Sequence, residues 1–293
     1  MPDGTTWPKI SIVTPSFNQG EFLEETILSV VGSLYPYIEY IIIDGGSSDN
    51  SLAIIKKYEK YLTYWVSEKD KGQSDAINKG FRRATGDIFG WLNSDDLYLP
   101  GAFQFAATSL DIGNPEYLIG NCFHFREGSP LSYGCDVVDA EERFDLRYVD
   151  TTIQPSTFWT RKAWEAAGEL DESLHYSMDW DWSIRARLAG VSFKPVHKYL
   201  AVYRIHEAHK TSSGREARTA ELGSVYKRYL GDEIAEIFLW CSRNYAKISS
   251  VRAFARRIRM GRHDLALLRA RYPRIFGRLK DNEIIGILAM AKP

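Results

Sequence analysis

The sequence predicts an α/β fold, a mostly parallel sheet flanked by helices and followed by a C-terminal helical extension. Three observations carry that prediction. From Lys9 to about Asn121 short apolar runs alternate with segments of helical period. Those runs end on polar residues, as strands do where a parallel sheet meets its ligand. Beyond Gly214 the pattern is helical with no repeat and no low-complexity tract.

The elements follow in order. Residues 9–14, Lys-Ile-Ser-Ile-Val-Thr, are short, β-branched and apolar, and Pro15 ends them. A helical pattern runs through Phe22, Leu23, Ile27, Val30, Val31 and Leu34, with Asn18 or Gln19 at its expected entry. Residues 39–44, ending at Asp44, form a continuous apolar run of the kind buried on both faces of a sheet. Gly45 to Ser48 make a turn, and Asp49 is placed to cap a helix reaching Tyr61. Residues 64–66 read as a third strand, Asp75 to Ala84 as a helix, and residues 87–92 as a strand running into an acidic cluster. Further on, Arg161 to Ala167 and Trp180 to Ala189 read as helices and Val191 to Tyr203 as strand and turn. The expected organisation is one catalytic domain over 1–214, with a nucleotide-binding half at about 9–121 and an acceptor half at about 122–214. A basic helical extension over 215–293 follows it.

Bulk properties narrow the function classes. A chain of 293 residues with 44% hydrophobic and 26% charged residues can bury a sizeable core. A net charge of −1 argues against a surface devoted to nucleic acid. Cys122, Cys135 and Cys241 form no CxxC pair, so neither a disulfide framework nor a zinc site is expected. With no basic start and apolar run at the N-terminus, and no stretch of roughly 18 apolar residues, the expectation is a cytoplasmic protein, at most peripheral on the inner face of a membrane.

The chemistry centres on Asn93-Ser94-Asp95-Asp96. Adjacent carboxylates at a strand end repel each other, and a bound cation is their usual remedy. The cation suited to oxygen ligands is Mg2+ or Mn2+, neutralising a diphosphate leaving group. A solvated turn in which Asp96 caps the next segment is the competing reading of the cluster by itself.

Context comes from ordered motifs. The runs at 12–19, 42–49 and 91–96, the stretches 68–80 and 84–87, and the pieces 154–157, 171–174, 178–181 and 203–206 together resemble the family 2 glycosyltransferases. These are inverting enzymes of the GT-A fold that use nucleotide-diphospho sugars. The resemblance covers roughly residues 9–212 in the family's order. It implies that Pro15, Ser16, Phe17 and Asn18 cradle the nucleotide, that Asp44 bonds the base or ribose, and that Asp75 and Asn78 border nucleotide and donor sugar. Alone, Asp75 and Asn78 read as exposed helix polars.

By the same resemblance Asp95 is the metal ligand of an Asp-x-Asp motif whose first position is here Asn93, with Ser94 and Asp96 beside it. An amide oxygen at Asn93 can still bind a hard cation or ribose hydroxyls, without charge. Asp179 matches the general base that takes the proton from the attacking hydroxyl. Asp181 reads as the cap of the following helix. His206 is implied as a second contact to metal or pyrophosphate, and Gln154 as a polar contact to donor or acceptor.

The implied donor carries UDP, GDP or dTDP, and the acceptor is a glycan or a lipid-linked oligosaccharide. Residues 251–280 hold ten Arg or Lys against one acid, Asp264. They read either as helices packed on the domain or as a membrane-facing surface, with Arg252, Arg256, Arg257, Arg259 and Arg262 toward anionic lipid and Phe254, Ile258 and Leu265 at the interface. No aromatic-interleaved motif supports nucleic acid there. A sugar-nucleotide pyrophosphorylase or dehydrogenase would want a Gly-rich phosphate loop after the first strand, where Pro15 to Asn18 stand. A non-catalytic sugar-nucleotide-binding protein of the same fold is the other alternative.

Overall fold

A computed structural model describes residues 6–133, 136–206, 214–257 and 263–292. Its strands are β1 Ile10–Ser16, β2 Ile38–Asp44, β3 Tyr64–Ser67, β4 Ile88–Trp91, β5 Leu97–Tyr98, β6 Glu116–Phe125, β7 Ser132–Tyr133, β8 Thr157–Thr160 and β9 Ser192–Arg204. The helices are α1 Leu23–Val31, α2 Ser51–Tyr58, α3 Gln73–Arg83, α4 Ala102–Ser109, α5 Val137–Arg143, α6 Arg161–Ala167 and α7 Met178–Leu188. They continue with α8 Arg215–Leu230, α9 Asp232–Arg243, α10 Tyr245–Arg257, α11 Asp264–Arg271, α12 Pro273–Phe276 and α13 Asp281–Met290. Two compact units result: Met1–Asp139 with Thr152–His209, and Ala140–Thr151 with Lys210–Pro293. Residues 140–151, which the sequence assigned to the acceptor half, therefore group with the C-terminal helices.

In the first unit the strands form one sheet in the order β3-β2-β1-β4-β8-β6-β9-β5, with β7 on β6. β3, β2, β1 and β4 are parallel, as are β6 and β9, while β8 runs antiparallel to both β4 and β6. The alternating pattern predicts the parallel run β3-β2-β1-β4, and the antiparallel pairings of β5, β7 and β8 make the whole sheet mixed. Helices cover both faces. Ile10, Ile12, Tyr40 and Ile42 pack with α1, α2 and α4, whereas Val13, Ile41, Ile43 and Phe89 pack with α3, α6 and α7. Alternation along each strand thus feeds two cores from one sheet. Gly80 lets α3 lie close on β1, since a Cβ there would stand 2.4 Å from Val13 Cγ1.

Helix starts depart from the sequence reading. α7 begins at Met178 rather than Trp180, so Asp181 lies inside its first turn and caps nothing. Asp181 is buried and accepts from Arg185 Nε at 2.9 Å, one turn on. α3 likewise begins two residues earlier, at Gln73. α1 enters on the backbone: Gln19 O accepts from Phe22 N and Leu23 N.

The second unit is helical. Tyr226 packs on Phe238 with ring centroids 4.7 Å apart, and its buried hydroxyl donates to Tyr148 O at 2.6 Å. Arg252 pairs with Asp264 and Arg269 with Asp281, each at 2.7 Å, so ion pairs take up part of the basic charge. Phe254 is exposed. Ile258, Arg259 and Arg262, the Arg256 side chain and Cys135 lie outside the described residues. Cys122 and Cys241 are free, buried thiols pushed up to about 12 by burial. Among the described residues no helix is long and apolar enough to cross a membrane.

Candidate functional site

The parallel strands bring their carboxyl ends together. Ser16 stands opposite Asp44 in the β1–β2 register, and Val13 opposite Trp91 in β1–β4, so the 92–96 loop leaves the sheet beside the end of β1. Pro15 and Ser16 are buried, while Phe17 and Asn18 are exposed. Among the described residues Ser16 Oγ is buried without a hydrogen-bond partner, which is rare for a polar atom. Asn18 has φ 50°, a left-handed conformation that asparagine tolerates. Its Oδ1 accepts from Ser48 N at 2.8 Å and its own N–H donates to Ser47 Oγ at 2.8 Å. The loops after β1 and β2 are thereby stitched together.

Asp44 is fully buried at the end of β2. Its Oδ2 accepts from Ser47 N at 2.9 Å and Ser67 Oγ at 2.6 Å, and its Oδ1 from Ser47 Oγ at 2.5 Å. The carboxylate is therefore held rigidly by the turn it closes. Gly45 lets Asp70 approach closely, since a Cβ there would sit 2.6 Å from Asp70 Oδ2 and displace that carboxylate. Burial raises the Asp70 carboxyl above its usual range, and the nearby charges of Asp75 and Asp44 push the same way.

Asp75 is buried in the first turn of α3, not an exposed helix polar. Burial opposes its charge, but the Lys71 N–H at 3.0 Å and the Lys79 ammonium at 3.3 Å outweigh that and hold it below the ordinary carboxylate range. Asn78 is buried too, again against the reading of an exposed polar. It exchanges both bonds with the backbone of Leu170: Nδ2 donates to its O at 3.0 Å and Oδ1 accepts from its N at 2.9 Å. Ser74 Oγ donates to Leu174 O at 3.0 Å. These ties bring the loop before α7 onto α3.

The acidic loop is anchored from three directions. Thr26 Oγ1, on α1, donates to Ser94 O at 3.0 Å and Asp96 O at 2.8 Å. Arg204, at the end of β9, donates through Nε to Asp95 O at 3.0 Å and through its backbone N to Asp96 Oδ1 at 2.9 Å. Its guanidinium also pairs with Glu25 and lies over the rings of Phe22 and Phe125. Asp96 is buried, and desolvation, reinforced by the charge of Asp95, raises its carboxyl well above the usual range. Asn93 and Gln154 meet here, with Asn93 Nδ2 donating to Gln154 Oε1 at 3.1 Å.

Asp95 and His206, 111 residues apart in sequence, come together with Oδ2 and Nε2 at 3.1 Å. The His206 ring lies against Phe22 at 4.4 Å between centroids. Adjacent ligands about 2.1 Å from a hard octahedral cation stand about 3.0 Å apart, so this pair fits one edge of such a site. Among the described residues no group of three His, Cys, Asp or Glu side chains is arranged to hold an ion alone. A ligand such as a diphosphate would have to complete the shell.

Asp179 is the second residue of α7, at the positive end of the helix dipole, with Oδ1 accepting from Trp180 N at 2.8 Å. The structure thus bonds Asn93 to Asp96 and Gln154, and Asp95 to His206, while Ser94 is held through its carbonyl by Thr26. It groups Asp44, Asp75 and Ser16 at neighbouring strand and helix ends, and ties α3 to the loop preceding Asp179. Sequence reasoning gave no role to Thr26, Gln73 or Arg204. Arg204 lay within a quoted motif, two residues before His206. Thr26 carried no signal, since a threonine on a helix interior says nothing of the loop it serves.

Comparison with known proteins bears on the family and the fold. Residues 11–163 match the family described as Glycosyl transferase family 2. An uncharacterized glycosyltransferase of Rickettsia typhi is 27% identical over 223 residues, 73% of this chain and 69% of that protein. A putative teichuronic acid biosynthesis glycosyltransferase of Bacillus subtilis is 37% identical over 98 residues, 31% of this chain and 38% of that protein. Among solved structures, S. aureus TarS 1–349 in complex with UDP-GlcNAc superposes with a TM-score of 0.60 at 15% identity, covering 97% of this chain and 90% of that one. The mannosyltransferase PcManGT of Pyrobaculum calidifontis, in complex with GDP-Man and Mn2+, gives 0.59 at 15% identity over 98% and 86%. The fold is that of these glycosyltransferases.

Proposed function

Because the chain belongs to glycosyl transferase family 2, and is thus a glycosyltransferase using a nucleotide-sugar donor, we propose that it inverts the donor's anomeric centre in a single displacement. The observation that supports a donor diphosphate site is the meeting of Asp95 and His206 at 3.1 Å beside the strand ends that hold Ser16 and Asp44. The donor is a UDP-, GDP- or dTDP-sugar. Its nucleotide lies along Pro15 to Asn18, with the Asp44 carboxylate and the Ser16 hydroxyl facing base or ribose and Asp75 and Asn78 shaping the wall behind.

Asp95 and His206 would hold Mn2+ or Mg2+ together with the diphosphate. Such an ion supplies positive charge to the departing diphosphate. The other steps belong to the chain itself. Asn93, Ser94, Asp96 and Gln154 set the loop that presents Asp95. Asp179 takes the proton from the acceptor hydroxyl as its oxygen bonds the anomeric carbon, and the bond to the diphosphate oxygen breaks on the opposite face.

The acceptor is a hydroxyl of a glycan, a polysaccharide or a lipid-linked oligosaccharide. The basic C-terminal helices of 215–293 suit peripheral contact with anionic lipid where the acceptor is lipid-linked, and transfer itself belongs to 1–214. Nucleoside diphosphate release from a panel of UDP-, GDP- and dTDP-sugars with Mn2+ or Mg2+ tests the reading. Turnover of at least one donor is expected, with a product of opposite anomeric configuration. Retention of configuration would remove the single displacement and the role of Asp179.

A further inference from the structure

The first position of the acidic motif is an amide, and the structure shows what that amide does. Gln154 Nε2 donates to Trp91 O at 2.8 Å. A peptide carbonyl only accepts, so this bond fixes which end of the Gln154 amide faces Trp91. Gln154 Oε1 must then face Asn93, which meets it with Nδ2 at 3.1 Å. The Asn93 nitrogen also stands 3.4 Å from Asp96 Oδ2, on a buried carboxylate whose other oxygen already accepts from Arg204 N. Asn93 Oδ1 is left facing the opposite way, and Gln73 Nε2 donates to it at 2.7 Å.

Three amides thus form one relay from the first residue of α3, through the loop after β4, to the short 3₁₀ turn Gln154–Ser156. A single backbone carbonyl sets its polarity. A carboxylate at position 93 would turn an oxygen toward both Gln154 Oε1 and Asp96 Oδ2, in place of the one group that donates to each. Gln154 cannot escape by flipping, because its oxygen would then face Trp91 O.

We infer that Asn93 is a positioning residue and not a metal ligand. It holds the loop bearing Asp95 in place before any ion arrives, and an ionised acid at that position would face two acceptors while Gln154 stays bonded to Trp91. The inference rests on the transferase reading only in naming what Asp95 is positioned for; the relay itself is independent of it.

The test is a cycle of Asn93→Asp and Gln154→Ala in the full chain, with two readouts. Without ligand, Asn93→Asp should lower Tm by about 1–3 °C, a size expected for a polar mismatch at a half-buried site in a chain of this length. In the Gln154→Ala background the same substitution should cost less than half as much, because the facing oxygen is gone. The second readout is the Mn2+ concentration that supports binding of UDP or GDP by titration calorimetry. It should rise about tenfold or more in Asn93→Asp if position 93 acts only by placing Asp95.

Should Asn93→Asp not accumulate as folded protein, Gln73→Glu attacks the relay from its outer end, and the same Tm loss is expected. A Tm equal to wild type, a penalty unchanged by Gln154→Ala, or a lower Mn2+ requirement in Asn93→Asp would each overturn the inference; the last would show an added ligand charge at the metal. If wild type binds neither nucleotide with Mn2+, the transferase reading fails while the ligand-free cycle still decides the relay.

Discussion

Asp70 and Asp75 stand on neighbouring turns and are driven apart in acidity. Burial, aided by the charges of Asp75 and Asp44, raises Asp70, while the Lys71 N–H and Lys79 overcome burial and lower Asp75. For Asp70, whose folded value lies above its unfolded one, ionisation costs stability once pH has risen through that folded value. Asp70→Asn is therefore expected to raise Tm at pH 7. The gain should fade as pH falls below about 4, where both states of the wild type are protonated. Thermal melts of both proteins from pH 3 to pH 8 check this, and a gain independent of pH would contradict it. In the proposed base role, Asp179→Asn keeps the shape and the bond from Trp180 N but not the proton acceptor. Transfer should fall by about 10²–10⁴-fold with nucleotide affinity unchanged. Calorimetric nucleotide binding alongside a turnover assay separates the two, and transfer at the wild-type rate would remove Asp179 from the base role.

At the scale of elements, the strands were the most legible part of the chain. β1, β2 and β4 bury both faces, so their side chains read as continuous apolar runs ending at polar residues. Helix starts were not legible, and the reason is physical. Start signals in sequence are capping side chains, yet α1, α3 and α7 begin without a side-chain cap bond. Asp181 looked like a cap because it is acidic and near a helix start, but its carboxylate turns inward to Arg185. The same blindness hid Thr26, through which α1 holds the loop of the candidate metal site. Thr26→Val leaves the buried carbonyls of Ser94 and Asp96 without that donor and should cost about 1–3 kcal/mol in urea unfolding. A loss under about 0.3 kcal/mol would mean the loop is held without α1.

For the whole molecule, the order of motifs pointed to a family and the polar strand ends to one ligand-facing edge, but the direct meeting of Asp95 with His206 was not legible. Asp95 and His206 meet because β9 pairs with β5, the strand that follows the acidic loop, a long-range pairing no local pattern encodes. Residues 140–151 were equally opaque, since membership of the helical unit depends on contacts such as Tyr226 to Tyr148. Tyr226→Phe removes that buried donor and should cost the helical unit about 1–3 kcal/mol, read as faster amide exchange in α8 and α9. The central claim is that Asp95 and His206 hold a divalent ion on a nucleotide diphosphate. It is tested most directly by thermal shift with UDP, GDP and dTDP, with and without Mn2+, on wild type and Asp95→Ala. A ligand at 100 times its Kd adds about 2.7 kcal/mol to the native state, so at least one nucleotide with Mn2+ should raise the wild-type Tm by several degrees. The increment due to Mn2+ should vanish in Asp95→Ala. No shift with any nucleotide, or an undiminished Mn2+ increment in Asp95→Ala, would contradict the account.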